Sequence, residues 1–153
     1  MISIASEPLA IARRYAAAAA GPDGWPVPLR FDPARRWYHR LASAADHEVW
    51  LLTWLPGQET DLHDHGGSAG AFLVVTGTLT EETVVAGELR PRTLEAGRGR
   101  RFGPHHVHRV GNRGETPAVS VHVYRPALRR MVSYRLDAGR LRVVEVAEAG
   151  VAW

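Results

Sequence analysis

The chain has 153 residues, no cysteine and a formal charge of +3, with 45% hydrophobic and 23% charged residues. The lack of cysteine excludes disulfides, thiolate metal ligands and a cysteine nucleophile. The positive charge comes from arginines that form no long basic block, so the sequence predicts no nucleic-acid partner. A chain of this length is expected to form one domain, residues 1–153, with a sizeable core.

The N-terminal segment, residues 1–35, is predicted to be helical or irregular. A helix is expected near residues 6–20, with Ser6 as its N-cap and Gly21 and Pro22 ending it. Its alanine-rich part is too short for an export signal or a bilayer span. We therefore expect a cytoplasmic protein that makes no membrane contact.

The character of the sequence changes at residue 36, where short apolar segments alternate with glycine-containing turns. This pattern is typical of β-strands and predicts a β-barrel or sandwich over residues 36–147. The predicted strands cover residues 37–41, 48–55, 61–65, 70–76, 78–85, 89–95, 106–110, 118–124, 132–136 and 141–146.

The strand predicted at residues 118–124 has two very different faces. Three valines occupy one face, and the other carries Ser120, His122 and Tyr124. Taken alone, the pattern fits a surface strand with its polar face in water. A polar face also suits the interior of a barrel that contains a metal site.

A candidate metal site is formed by His63, His65 and His108. Residues two apart on a strand share a face, so the first two imidazoles are expected side by side. The third, on a neighbouring strand, would complete a facial set of three nitrogens. Three neutral imidazoles leave the full charge of a divalent metal, which favours an anionic ligand such as a thiolate. Imidazole alone does not distinguish Fe, Zn, Cu and Ni.

The residues around these histidines resemble the two sequence motifs of the cupin superfamily. The matching positions are Gly57, His63, His65 and Gly77 in the first motif, and Pro104, His108 and Asn112 in the second. Gly70 stands where many cupins place a glutamate ligand. The resemblance implies a mainly β fold, a cupin-type double-stranded β-helix (jelly-roll) barrel, here preceded by an N-terminal helical segment.

Within that superfamily, residues from about 36 to 134 resemble the type I cysteine dioxygenases. Several separate elements carry the resemblance in the family's order: Tyr38-His39-Arg40, Trp54 nine residues before His63, His108-Arg109-Val110, Thr116-Pro117-Ala118-Val119 and Ser120-Val121-His122-Val123-Tyr124.

This resemblance implies a non-haem Fe(II) enzyme that oxidises L-cysteine with O2 to cysteine sulfinate. Arg40 would bind the substrate carboxylate, with Tyr38 and Trp54 beside it. The implied metal ligands are His63, His65 and His108, and the implied catalytic relay is Ser120, His122 and Tyr124. We expect a monomer or a weak homo-oligomer.

Three comparisons with the family pattern bear on what the resemblance implies. Gly70 occupies the position of the cysteine that crosslinks to the relay tyrosine in animal members, so no thioether can form. Arg125 and Pro126 replace the usual Ser-Pro pair, and the sequence does not decide whether their bond is cis. Related mercaptopropionate dioxygenases carry glutamine in place of Arg40 and a different arginine, a role that Arg125 could fill. The alternatives are therefore a 3-mercaptopropionate dioxygenase and a non-catalytic metal-binding or sensing cupin.

The remaining charged and polar segments are predicted to be structural. Glu81 and Glu82 are interpreted as a solvated strand edge, and residues 98–101 as a solvated loop entering a strand and not as a phosphate-binding patch. His105 and His106 match no ligand position, although His106 could support His108 as an outer partner. The last two predicted strands are expected to form a closing hairpin outside the site.

Overall fold

The computed structural model describes residues 6–150, which contain one helix and eleven strands. In chain order they are α1 (Pro8–Ala19), β1 (Trp37–Ser43), β2 (Glu48–Trp54), β3 (Leu62–Asp64), β4 (Ala69–Thr76), β5 (Thr78–Val85), β6 (Glu88–Glu95), β7 (Gly99–Phe102), β8 (His108–Gly111), β9 (Ala118–Arg125), β10 (Arg130–Asp137) and β11 (Arg140–Glu148). In this part of the chain, no helix has the length and apolar character needed to cross a membrane.

The strands form two antiparallel sheets. The five-stranded sheet has the order β1-β2-β9-β4-β7, and the six-stranded sheet has the order β11-β10-β3-β8-β5-β6. Each of the ten predicted strands has a counterpart here. The prediction of a mainly β fold with an N-terminal helix is confirmed.

The predicted N-cap of α1 was off by one residue. Glu7, not Ser6, caps the helix, because its carboxylate accepts hydrogen bonds from the amides of Leu9 and Ala10, both at 3.1 Å. Pro8 follows at the first helical position, where its missing N–H leaves no hydrogen bond unmade.

The five-stranded sheet separates two hydrophobic clusters, and the two faces of β9 contribute to different ones. Val119, Val121 and Val123 pack outward in the cluster that includes Leu9 and Ile11 of α1. The opposite face of the sheet meets the six-stranded sheet, where Trp54, Phe72 and Val74 belong to the second cluster. The polar face of β9 therefore lies inside the protein, between the sheets, and not in water.

Strand β7 is absent from the predicted strands, since residues 98–101 were interpreted as a loop that enters a strand. It pairs with β4 at the edge of the five-stranded sheet. A Cβ at Gly99 would lie 2.3 Å from a methyl carbon of Leu9, so α1 packs closely on this strand and any larger residue would displace the Leu9 side chain. An edge strand of arginine and glycine lacks the apolar alternation by which strands are usually recognised.

Candidate metal centre

The three predicted metal ligands meet in one buried cluster. His63 lies on β3 directly opposite His108 on β8, and His65 follows β3 by one residue. The ring centroids are 4.8 to 5.0 Å apart, and one ligand nitrogen from each ring lies within 4.8 Å of the others. All three side chains are buried. Three imidazoles at this separation can hold one metal ion.

The hydrogen bonds and protonation of these rings fit a metal ion. The Nδ1–H of His63 donates to the carbonyl of Asp61 at 2.7 Å; a carbonyl only accepts, so Nε2 keeps its lone pair. The Nδ1 of His65 is buried without a hydrogen-bond partner among the described residues, so no protein group competes with a metal ion for this ring. Burial lowers the pKa of both rings well below the ordinary value, and neighbouring imidazoles lower it further, so both are neutral.

The third ligand, His108, is held by a buried carboxylate. Its Nδ1–H donates to Oε2 of Glu81 at 2.7 Å, and His106 and Arg100 donate to the same carboxylate at 3.2 and 2.6 Å. Burial would raise the pKa of Glu81, but these three donors hold it well below its usual range. The predicted solvated edge at Glu81 and Glu82 is wrong, because the two residues are only 1% and 7% exposed.

Position 70, where many cupins place a glutamate ligand, has no room for a side chain. A Cβ at Gly70 would lie 2.1 Å from the carbonyl oxygen of Val123 and 2.9 Å from the ring of Phe102. That ring stacks on His65, with centroids 4.5 Å apart and planes 20° from parallel. Neither a glutamate nor a cysteine at position 70 fits this packing, so the described protein ligands around the centre are imidazoles alone.

The predicted relay on β9 faces the same centre. The indole N–H of Trp54 donates to Oγ of Ser120 at 2.8 Å, and that hydroxyl lies 2.8 Å from Nε2 of His122. Since the indole only donates, the hydroxyl is free to donate to the imidazole, which then carries its proton on Nδ1. Burial, followed by the charges of His108 and Arg36, lowers the pKa of His122 to about 3. This imidazole is therefore neutral at neutral pH.

Tyr124 completes the polar face of β9. It is buried, and this burial raises the pKa of its hydroxyl well above the ordinary value. Its ring lies 5.3 Å from that of His65 and 6.4 Å from that of His122. Among residues 6–150, His122 and Tyr124 are not joined by a hydrogen bond. The tyrosine thus presents a neutral O–H donor beside the histidine cluster.

A cavity of about 340 Å³ lies between the sheets and opens onto the cluster. Two of the predicted substrate residues, Tyr38 and Trp54, line it together with His63, His108, His122 and Tyr124. The β10–β11 hairpin also contributes to the wall, although the sequence predicted no role for it. Its lining residues are Met131, Ser133, Glu145 and Ala147.

The cavity contains an arginine, but not the one predicted. The structure does not bring Arg40 into the wall; its half-exposed guanidinium lies 4.0 Å from Glu48. Arg36, which immediately precedes β1, lines the cavity, with its guanidinium carbon 5.2 Å from the ring centroid of Trp54. No hydrogen bond or ion pair ties Arg36 to another residue in the range 6–150. Burial lowers its pKa, while the neighbouring Tyr124 and Asp61 oppose this effect.

Arg125, the basis of the alternative substrate hypothesis, points away from the cavity. Its guanidinium donates to the carbonyl of Ser6 at 2.9 Å and lies 3.5 Å from a carboxylate oxygen of Asp46. The peptide bond between Arg125 and Pro126, which the sequence left open, is cis.

Comparison with solved structures shows the cupin fold. A protein from Thermus thermophilus matches with a TM-score of 0.58 at 21% identity, over 65% of this chain and 90% of that one. A double-stranded β-helix protein from Klebsiella pneumoniae has the same TM-score of 0.58 and identity of 21%, over 76% and 90%. A cupin superfamily protein from Desulfitobacterium hafniense matches at TM-score 0.52 and 12% identity, over 62% and 81%.

Comparison by sequence identifies the family. No curated protein matches the chain significantly. The family profile of cysteine dioxygenase type I matches residues 7–136, which is most of the sequence and includes α1, the histidine cluster and the relay on β9. The resemblance found from the motifs is confirmed, and the chain belongs to the cysteine dioxygenase type I family.

Proposed function

We propose that the protein is a non-haem Fe(II) thiol dioxygenase that converts L-cysteine and O2 to cysteine sulfinate. Membership of the family supports thiol dioxygenase chemistry. The observation that carries the proposal is the meeting of three groups at one cavity: a buried cluster of three histidines, an arginine without a hydrogen bond or ion pair among residues 6–150 and a buried neutral tyrosine.

The arginine is suited to bind the substrate carboxylate. The guanidinium of Arg36 lines the cavity and is partly removed from water, where a planar fork of donors binds a carboxylate with charge-assisted hydrogen bonds. Such bonds contribute about 1.5–3 kcal/mol each to binding. Arg36 therefore takes the role that the sequence resemblance implied for Arg40, with Trp54 and Tyr38 completing this side of the cavity.

The histidine cluster suits an anionic thiol substrate. His63, His65 and His108 are neutral donors and bring no negative charge, so a divalent cation held by them keeps its affinity for a thiolate. Bound Fe(II) would supply neighbouring positions at which the thiol sulfur and O2 meet, so that their reaction becomes internal. The overall reaction, RSH + O2 → RSO2H, places both oxygen atoms on sulfur and needs no further reductant.

The relay residues have two roles: Tyr124 donates a hydrogen bond, and Ser120 and Trp54 fix the orientation of His122. Tyr124 keeps its proton and can donate its O–H to an oxygen atom or to the substrate carboxylate. His122 is neutral and fixed by Ser120, which in turn accepts from Trp54. This chain of hydrogen bonds holds one tautomer and one ring orientation beside the reacting groups.

Arg36 also supports a second candidate substrate, 3-mercaptopropionate. 3-Mercaptopropionate also combines a thiol with a carboxylate, and Arg36 serves both molecules equally well. Arg125 gives the mercaptopropionate hypothesis no separate support, because it lies outside the cavity wall. The two substrates differ in the amino group, which only cysteine has. Action in the cytoplasm, as a monomer or a weak homo-oligomer, stays a prediction from the sequence.

Oxygen uptake by Fe(II)-loaded protein tests the proposal, with L-cysteine, 3-mercaptopropionate and cysteamine supplied separately. We expect uptake with cysteine, one sulfinate per O2 consumed, and much slower uptake with cysteamine, which has no carboxylate. Uptake with mercaptopropionate alone would keep the chemistry and overturn the substrate. Protein that holds iron but consumes no oxygen with any thiol would instead be a metal-binding or sensing cupin.

A further inference from the structure

The three metal-ligand histidines are oriented in three different ways. A backbone carbonyl holds His63, and no described group holds the Nδ1 of His65. Of the three, only His108 has a side-chain hydrogen-bond partner among residues 6–150, the carboxylate of Glu81. A carboxylate that accepts from Nδ1 leaves the lone pair on Nε2, which is the ligand form of the ring.

The carboxylate of Glu81 is itself fixed on both oxygens. Oε1 accepts from Nε–H of Arg100, and Oε2 accepts from His106 as well as His108. Arg100 belongs to β7 in the five-stranded sheet, whereas Glu81 lies on β5 in the six-stranded sheet. His106 is in turn stacked on Phe102, with centroids 5.6 Å apart and planes 15° from parallel. The cluster therefore joins both sheets to one metal-ligand histidine.

We propose that Glu81, held by Arg100 and His106, is a positioning residue that sets the tautomer and orientation of His108 for metal binding. The inference rests on the proposed metal site and goes beyond it, since it assigns a role to a carboxylate that contributes no ligand atom. A negative charge beside the ring also increases the electron density that His108 can donate to a metal.

The chain offers a matched control in the next residue. Glu82 is also buried, and it pairs with Arg109 and Arg113. Adjacent strand residues point to opposite faces, so its carboxylate is directed away from the histidine cluster. Replacing either glutamate by glutamine removes one buried charge from the same strand, but only one of these charges contacts a metal-ligand histidine.

Metal affinity gives the first test, measured by competition with a chelator for Fe(II) and for Zn(II). We expect Glu81→Gln to weaken both metals by roughly 10–100-fold, the usual effect of losing an outer partner of a ligand. Glu82→Gln should stay within about threefold of the wild type, which is well below that range. Thermal unfolding of both metal-free variants verifies that they fold. Equal losses in the two variants, or wild-type affinity in folded Glu81→Gln, would overturn the proposal.

The tautomer of His108 gives a second test that needs neither metal nor turnover, and it covers the case in which Glu81→Gln does not fold. Long-range nitrogen–proton NMR of the metal-free wild type should show His108 protonated on Nδ1. Arg100→Gln should lower the population of this tautomer, and Arg100→Lys should restore part of it. Protonation of His108 on Nε2 in the wild type would contradict the proposal. If both tests give the expected results but the wild type oxidises no thiol, the dioxygenase function is refuted and the positioning role of Glu81 stands.

Discussion

The two walls of the cavity do different kinds of chemistry. His63 and His108, on β3 and β8 of the six-stranded sheet, line the cavity, and together with His65, which follows β3, we define them as the metal wall. The five-stranded sheet and the residue before β1 provide the donor wall, defined as Arg36, His122 and Tyr124. The metal wall presents nitrogen lone pairs to a cation. The donor wall presents N–H and O–H groups and one positive charge to whatever the cation binds.

This difference explains why both walls must be buried. Burial keeps the imidazoles of the metal wall neutral, as ligands have to be, and it keeps Tyr124 protonated, as a donor has to be. The proposed substrate, an anionic thiol with a carboxylate, would satisfy the two walls at once, through sulfur on one side and oxygen on the other. The walls should therefore respond separately to substitution.

The largest effect is expected on the metal wall. His63→Ala removes a ligand, so Fe(II) affinity should fall by more than the roughly 100-fold cost of losing an outer partner, and oxygen uptake should be abolished. Iron content after gel filtration measures the loss. The exposed His105 lies outside the cluster, and His105→Ala is expected to retain full iron. Retention of iron by His63→Ala would remove this histidine from the site.

Substitution of Arg36 in the donor wall is expected to have a smaller effect, on turnover and not on iron binding. Arg36→Gln should lower kcat/KM for L-cysteine by roughly 10–100-fold, because charge-assisted bonds to the carboxylate are lost. Its iron content should not change. Arg40→Gln is the matched control and should remain within a few-fold of the wild type, since that guanidinium lies outside the cavity. The reverse ranking of the two variants would restore Arg40 as the carboxylate anchor.

Tyr124→Phe should have a milder effect on turnover. It removes one neutral hydrogen-bond donor and keeps the ring, so kcat should fall by roughly 3–10-fold. Stopped-flow or steady-state oxygen uptake measures the change, with iron content as the control. A loss of iron together with activity would show that the tyrosine belongs functionally to the metal wall.

The smallest effect concerns the pH dependence of stability. The pKa of His122 is about 3 in the folded protein and near 6.5 when unfolded, so the unfolded state binds more protons between these values. Its contribution to the unfolding free energy should therefore drop by about 1 kcal/mol from about pH 7 to about pH 5.5. Urea unfolding of metal-free wild type and His122→Phe, which keeps an aromatic ring beside Phe72, should show a shallower pH slope for the variant. Parallel slopes would mean that His122 is not buried in its neutral form.

The metal wall was predictable from the sequence, because local spacing encodes it. The spacing of His63 and His65 predicted that their imidazoles would lie side by side, and their ring centroids are 4.9 Å apart although β3 ends at Asp64. The alternation of β9 likewise predicted which side of that strand carries Ser120, His122 and Tyr124. The sequence left open whether this side faces water, and the packing of the two sheets decided that.

The residues that sequence reasoning missed depend on tertiary contacts. Arg36 and Arg40 are separated by an even number of positions. Arg36 lies over Trp54 and lines the cavity, whereas Arg40 lies over Trp50 near Glu48 and does not line it. From the sequence alone, Glu81 looks like an exposed charge on a strand. In the structure, Arg100 from the other sheet donates a hydrogen bond to its carboxylate. No sequence pattern signals either contact, although an acidic residue on a strand beside a histidine site is a candidate outer partner on chemical grounds.

The most direct test of the separation between the walls is the Fe(II) dissociation constant of the double variant Arg36→Gln/Tyr124→Phe. We predict that this variant binds Fe(II) as tightly as the wild type while its oxidation of L-cysteine is nearly lost. A dissociation constant that weakens in step with turnover would contradict the separation, since residues of the donor wall would then be needed to hold the metal.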